Sequence, residues 1–170
     1  TGSDDVSVVV AAVSAKKSPL HGGAPRPVLD MLDAVGQPEH AEAWIAAELA
    51  AGRRIMGLGH RVYRARDPRA AVLEAAAAQL DPDLGRLRLA AAVEHEAVRQ
   101  LTLRHPDRPL RANVEFATAV LLEALSWPRP AFTAAFTAGR VVGWLAHVRE
   151  QRALGRLIRP RARYVGPGVV

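Results

Sequence analysis

Six side chains of this sequence stand where residue type and surroundings suit chemistry. His21 lies in Ser18-Pro19-Leu20-His21-Gly22-Gly23-Ala24, and His60 lies in Met56-Gly57-Leu58-Gly59-His60-Arg61-Val62-Tyr63. In both segments glycines beside the histidine let the backbone come close to a ligand and leave the ring unobstructed. Glu115, after Asn113-Val114, falls in the first turn of an expected helix, where the dipole and free N–H groups favour a carboxylate. Arg69, Arg140 and Arg159 each offer a planar fork that grips carboxylates and phosphates in pairs. Taken singly, each of the six also has a plain reading: a solvated loop histidine, a helix-start acid, a surface charge. Metal chemistry finds little support, since no HxxxH or HxxE pairing at helical spacing accompanies the histidines. The chain has no cysteine, which excludes disulfides, thiolate nucleophiles and Cys-type zinc sites.

The elements that must position these groups read as helix after helix. Ser3-Asp4-Asp5 starts one, and Val6, Val9, Val10 and Val13 follow at the spacing of a single helical face. Pro25 and Pro27 open a second, which carries Val28, Leu29, Met31, Leu32 and Val35 and stops at Gly36. A third is predicted from about Glu39 to Ala51, burying Trp44, Ile45 and Leu49, with Gly52 as its stop. Asp67-Pro68 starts a helix ahead of Val72, Leu73 and Leu80, and another runs from about Asp83 to Arg104 with Leu84, Leu87, Ala91, Val98 and Leu101 at helical spacing. Asn113 caps a helix through Leu125, and a last one spans Ala131 to about Gln151 before Pro160 and an extended tail. Gly139 and Gly143, four residues apart, would let another helix approach closely. His147, beside Trp144, reads as a packed or capping residue and not as a ligand. With no β-alternating run and no internal repeat, the fold class is all-α.

Composition narrows the classes further. The 170 residues are nearly half apolar without any run of the roughly 20 residues that a membrane span needs, so a soluble globular protein with no membrane partner is expected. The acidic start carries no apolar signal core, and the reading is cytoplasmic. Of the 23 basic residues, only Lys16 and Lys17 are lysine. Codon bias accounts for part of that arginine excess, and an anionic small-molecule partner fits the remainder. A nucleic-acid partner is not expected, because the arginines are scattered among acids instead of forming a stripe with aromatics.

The order of the segments says more than any one of them. Leu20-His21-Gly22-Gly23-Ala24, Gly57-Leu58-Gly59-His60-Arg61-Val62-Tyr63, Asp67-Pro68-Arg69-Ala70, Asn113-Val114-Glu115-Phe116, Gly139 to His147 and Arg159-Pro160-Arg161 together resemble the C-terminal portion of a citrate synthase of bacterial type. The resemblance runs in register over nearly the whole chain. It implies a helical fold in which residues 1–24 and 127–170 belong to a large domain and residues 25–126 form a smaller domain that closes over the substrates. It also implies a chain missing its N-terminal half, hence a fragment, a processed product, the visible part of a longer chain or one half of a split enzyme with a companion chain, and assembly as a homodimer or larger.

The same resemblance implies condensation of acetyl-CoA with oxaloacetate through an enol and a citryl-CoA intermediate. The developing enolate of so weak a carbon acid must be stabilised as its proton leaves. Glu115 stands at the position of the base, His21 at that of the hydrogen-bond donor to the thioester oxygen, and His60 at that of the group polarising the ketone. Arg69 and Arg140 would hold the carboxylates, with Arg159 reaching in from the other subunit. Leu58, Gly59, Arg61 and Val62 would present backbone groups to CoA. No metal or redox cofactor is implied. One position departs from the family's commonest pattern, Glu115 standing where aspartate is usual, which moves the carboxylate by one methylene. Two other readings stay open: a 2-methylcitrate synthase using propionyl-CoA, and a non-catalytic binding or regulatory relative.

Overall fold

The computed structural model describes residues 2–17, 25–60, 65–80, 83–107 and 110–166. Helix α1 (Asp5–Lys16) begins at Asp4, whose carboxylate accepts from the Ser7 N–H (2.9 Å) and hydroxyl (2.6 Å). Helix α2 (Pro25–Val35) buries Val28, Leu29, Met31, Leu32 and Val35 and ends at Gly36, where φ is +72°. A 3₁₀ turn at Pro38–His40 leads into α3 (Ala41–Ala50), which buries Ile45 fully and Trp44 and Leu49 in part. Helices α4 (Pro68–Leu80), α5 (Gly85–Arg104) and α6 (Val114–Ala124) follow. A second 3₁₀ turn, Arg129–Ala131, precedes α7 (Phe132–Leu154). Among the described residues the only extended pairing is one antiparallel bridge between Leu58 and Ala112, and the all-α expectation holds.

Helices α2 to α6 share one core. Val28, Leu29, Leu32, Ile45, Val93 and Phe116 are its large members, each worth about 1.5–3 kcal/mol of burial. Phe132, in the first turn of α7, joins the same core. Helix α1 packs along α7, and α7 meets the body at α2. No described helix is long and apolar enough to cross a membrane.

The structure turns several helices relative to the expected faces. In α4, Val72 and Leu80 are exposed and the buried residues are Ala70 and Ala77, because α4 lies close against α6 and only small side chains fit there. In α5, Leu84 and Ala91 are exposed, whereas Leu89, Ala90, Val93, Ala97 and Leu101 form the buried face. That helix starts at Gly85, two residues later than expected, after Leu84 adopts a left-handed φ of 53°. In α1, Val6 and Val10 are exposed.

Helix α7 runs past Gln151 and is ended by Gly155 (φ +61°) instead of Pro160. Gly139 opens on empty space, and a Cβ at Gly143 would meet only the Arg140 side chain. No helix among the described residues uses the close approach these glycines allow. His147 is neither packed nor capping: it is exposed, with Nδ1 3.1 Å from Glu150.

Candidate active site

The site begins with Asn113. Its carboxamide oxygen accepts from the Glu115 N–H (3.1 Å) and the Phe116 N–H (3.4 Å), capping α6. Its Nδ2 donates to the Gly59 carbonyl oxygen (3.0 Å), and its own N–H donates to the Gly57 carbonyl oxygen (3.0 Å). The Gly59 N–H in turn donates to the Arg111 carbonyl oxygen (2.7 Å). One residue therefore ties the strand-like stretch ending in His60 to the helix start that carries Glu115. Gly57 is required in this arrangement. Its φ is +75°, and a Cβ there would lie 2.9 Å from both the Phe116 ring and the Val28 side chain.

His60 is exposed at the edge of this stretch, within electrostatic reach of Asp67. Asp67 is only 2% exposed. Its carboxylate accepts from Arg69 Nε (2.9 Å), Arg69 Nη2 (2.7 Å) and the Arg69 N–H (3.0 Å). The guanidinium holds the Asp67 carboxyl below the usual carboxylate range, with smaller help from the Arg69 amide and His60, against burial that pushes it up. The Nε/Nη2 edge of Arg69 is thus oriented from behind by a buried acid, and the side chain stands half-exposed.

Glu115 is 9% exposed in the first turn of α6. At the last turn of α1, Lys16 is 3% exposed, with Nζ 3.8 Å from the centroid of the Phe136 ring and 5.9 Å from that of Trp144. Burial pushes the Lys16 ammonium down, Glu115 pulls it up, and Arg140 pushes it down. Lys16 of α1 therefore lies within electrostatic reach of Glu115 of α6 and of Arg140 of α7.

Of the residues singled out from the sequence, Arg69 is bonded to Asp67, which also lies within electrostatic reach of His60, and Glu115 and Arg140 each lie within electrostatic reach of Lys16; Asn113 ties the His60 stretch to the helix start that carries Glu115. Leu58 is buried, so its side chain belongs to the core, and the Gly59 N–H and carbonyl are engaged with Arg111 and Asn113. Arg159 is exposed in the segment after α7. His21, Arg61 and Val62 lie outside the described residues. No group of three or more metal-ligating side chains occurs among the described residues.

Comparison with known proteins decides the family. The citrate synthase C-terminal domain matches residues 1–161. The chain belongs to the citrate synthase family. A Mycobacterium tuberculosis protein provisionally named citrate synthase 2 is 48% identical over 99% of this chain, and citrate synthase 2 of Bacillus subtilis is 40% identical over 98%. The chain spans 44% of the length of each. Among solved structures, the Thermotoga maritima citrate synthase superposes over 99% of this chain and 46% of its own, with a TM-score of 0.84 and 40% identity. The Thermoplasma acidophilum citrate synthase, solved with carboxymethyl coenzyme A and oxaloacetate, gives a TM-score of 0.84 at 32% identity, over 99% of this chain and 45% of its own. A citryl-CoA lyase from Hydrogenobacter thermophilus gives 0.75 at 26% identity, over 99% of this chain and 66% of its own.

Within this citrate synthase-family chain, two residues of the site were not picked out from the sequence as site residues. Lys16 had one signal, as a lysine in a chain that otherwise uses arginine, at the end of an apolar helix just before the His21 segment. Asn113 was legible as a cap, but its bond to Gly59 joins positions 54 residues apart, and local sequence carries no mark of that.

Proposed function

We propose that this chain forms the condensing half of the active site of a citrate synthase, which joins acetyl-CoA to oxaloacetate. The observation that carries the reading is the Asn113 clasp, which brings the His60 segment and the Glu115 helix start together in a member of this family. Glu115 removes a proton from the acetyl methyl group while His21 donates a hydrogen bond to the thioester oxygen, giving the enol. The enol carbon attacks the ketone of oxaloacetate, and His60 protonates the oxygen that becomes the hydroxyl. Water then cleaves the citryl thioester to release citrate and CoA. Arg69, oriented by Asp67, and Arg140 pair with the substrate carboxylates, and Arg159 of a second copy completes that set in a homodimer. The main chain on either side of Gly59, at Leu58, Arg61 and Val62, receives CoA.

The reading extends to the domains. Residues 1–24 and 127–170 act as one unit and residues 25–126 as the part that closes, which accords with the pairing of α1 with α7 and the shared core of α2 to α6. The remaining length found in the relatives supplies the rest of the site, so these 170 residues alone should show little turnover.

The test is CoA release from acetyl-CoA and oxaloacetate by this chain joined to that remaining length, with propionyl-CoA compared in parallel to settle the acyl group. Glu115→Gln should lower turnover by about 100-fold or more if Glu115 is the base. Unchanged turnover in that variant would remove Glu115 from the mechanism.

A further inference from the structure

We propose that the cavity lined by Arg66, His95, Arg99 and Arg111 binds an organic phosphate, through guanidinium donors that the neighbouring carboxylates leave free. The resemblance assigns none of these residues, and the site does not depend on the roles proposed for Glu115 and His60.

Three separate segments build it. Arg66 stands just before α4, Arg111 just before α6, and Ala91, Glu94, His95, Val98 and Arg99 lie along one face of α5. The cavity has a volume of about 360 Å³, within the range of about 300–1,000 Å³ in which small ligands are held. Arg66, His95, Arg99 and Arg111 are all exposed, so solutes reach them. In the lining, three arginines face a single carboxylate, that of Glu94.

Two of the arginines are fixed from one side. Arg66 donates from Nε (3.0 Å) and Nη2 (2.9 Å) to Glu94, and from Nη2 to Glu74. Arg99 donates from Nε (2.8 Å) and Nη2 (2.6 Å) to Glu96, and from Nη2 to Glu42 (2.9 Å). In both, the carboxylates occupy the Nε/Nη2 edge, and Nη1 bonds no carboxylate among the described residues. Two parallel bonds set the plane of a guanidinium, so each Nη1 is presented in a fixed direction. Arg111 differs. Its side chain forms no ion pair among the described residues, which leaves its whole donor fork for phosphate oxygens. Its main chain is anchored, because its carbonyl oxygen accepts from the Gly59 N–H (2.7 Å), beside the stretch that ends in His60.

The adjoining space selects an organic phosphate over the bare ion. A second cavity, of about 500 Å³, shares Arg66, Ala91 and Glu94 with the first, and its further lining is mainly alanine, leucine, Phe116 and Val120. A ligand whose phosphate meets Arg99 and Arg111 therefore has room for an uncharged part next to it. Nucleotides and CoA both carry that combination. The arginines cluster on one cavity and form no stripe with aromatics, so a nucleic acid is not the partner.

The test titrates the ¹⁵N-labelled 170-residue protein with CoA, with ATP and with inorganic phosphate. Shifts should concentrate at Arg66, residues 91–99 and Arg111, and inorganic phosphate should bind most weakly. Arg111→Leu should weaken binding of the organic phosphates by about 10-fold, Arg111→Lys should recover part of the loss, and Arg149→Leu on α7 should change nothing. Arg111→Leu alters an exposed side chain and keeps the carbonyl that Gly59 uses, so its melting temperature should match the parent's. If CoA alone loses affinity in Arg111→Leu, the site takes the substrate's own phosphates; if ATP loses it as well, the site takes free nucleotides too. Equal affinities in Arg111→Leu and the parent, shifts confined to other residues, or inorganic phosphate binding as tightly as ATP would each overturn the proposal.

Discussion

The body made by α2 to α6 and the pair made by α1 and α7 draw on similarly apolar sequence and bury it differently. Leu29, Leu32, Ile45, Val93 and Ala119 in the body have no measurable exposure. Of α1 the only buried residue is Lys16, and of α7 only Phe132, which is seated in the body's core. Val6, Val10, Val142 and Leu154 on the pair stand exposed, as do Leu157, Ile158, Tyr164 and Val165 beyond it. The body closes on itself; the pair is a layer whose outer face has no cover among the described residues. That division agrees with a chain spanning 44% of its curated relatives. It also places the candidate site near the seam, since Lys16 of the pair lies within electrostatic reach of Glu115 of the body.

The largest expected effect tests the body directly. Leu29→Ala should cost about 2–5 kcal/mol, because the cavity left in a close-packed core cannot fully collapse. Val142→Ala on the pair should stay within about 0.5 kcal/mol. Chemical denaturation of both variants reads the contrast, and equal losses would mean that the two regions are not packed differently.

Next comes Gly57→Ala, at the edge of the body that carries His60. Holding the left-handed φ costs an alanine roughly 1–2 kcal/mol, and crowding against Phe116 and Val28 adds about 1–3 kcal/mol. The melting temperature should fall, and substrate binding should weaken as His60 shifts. A variant as stable as the parent would show that the stretch can slide away from Phe116.

A smaller effect separates stability from the site. Asn113→Ala should lose the cap, about 0.5–2 kcal/mol. Asn113→Asp keeps an oxygen to accept from Glu115 and Phe116 but loses the donor to Gly59. Its stability should therefore lie closer to the parent's, while turnover falls in both variants. Equal turnover in Asn113→Asp and the parent would remove the clasp from the positioning of His60.

Much of this was readable in advance, for a physical reason. Helix ends are local: Asp4, Gly36, Gly52 and Asn113 each satisfy backbone groups within a few residues, and all four lie where sequence placed them. Buried faces are not local. In α4 and α5 runs of alanine present small apolar surface in several directions, so periodicity did not indicate that Ala70, Ala77 and Ala90 would be inside and Val72 outside. The site divides in the same way. His60, Arg69, Glu115 and Arg140 were legible as a succession of motifs. The bond from Asn113 to Gly59, 54 residues apart, arises only when elements pack.

The smallest effect lies where the body joins the pair. Asp33 of α2 is bonded by Arg86 of α5 (2.5 Å) and by Arg129 (2.6 Å), in the turn that leads into α7; the same two arginines reach Glu123 of α6 at 2.5 and 3.0 Å. Arg129, then Arg86, holds the Asp33 carboxyl below its usual range, against burial that raises it. A carboxyl depressed in the folded state contributes stability that is complete above its unfolded value of about 3.9 and is lost as pH falls through the lower, folded value. Asp33 is nearly half exposed, so the contribution should be only about 0.2–1 kcal/mol. Urea midpoints measured from pH 6 down to pH 3 should therefore fall more steeply in the parent than in Asp33→Asn, with the two curves parallel above pH 5. If the curves stay parallel throughout, Asp33 does not link α2 to the turn before α7, and that turn is held to the body by Phe132 and by the bonds of Arg129 to Glu123 and Asp30.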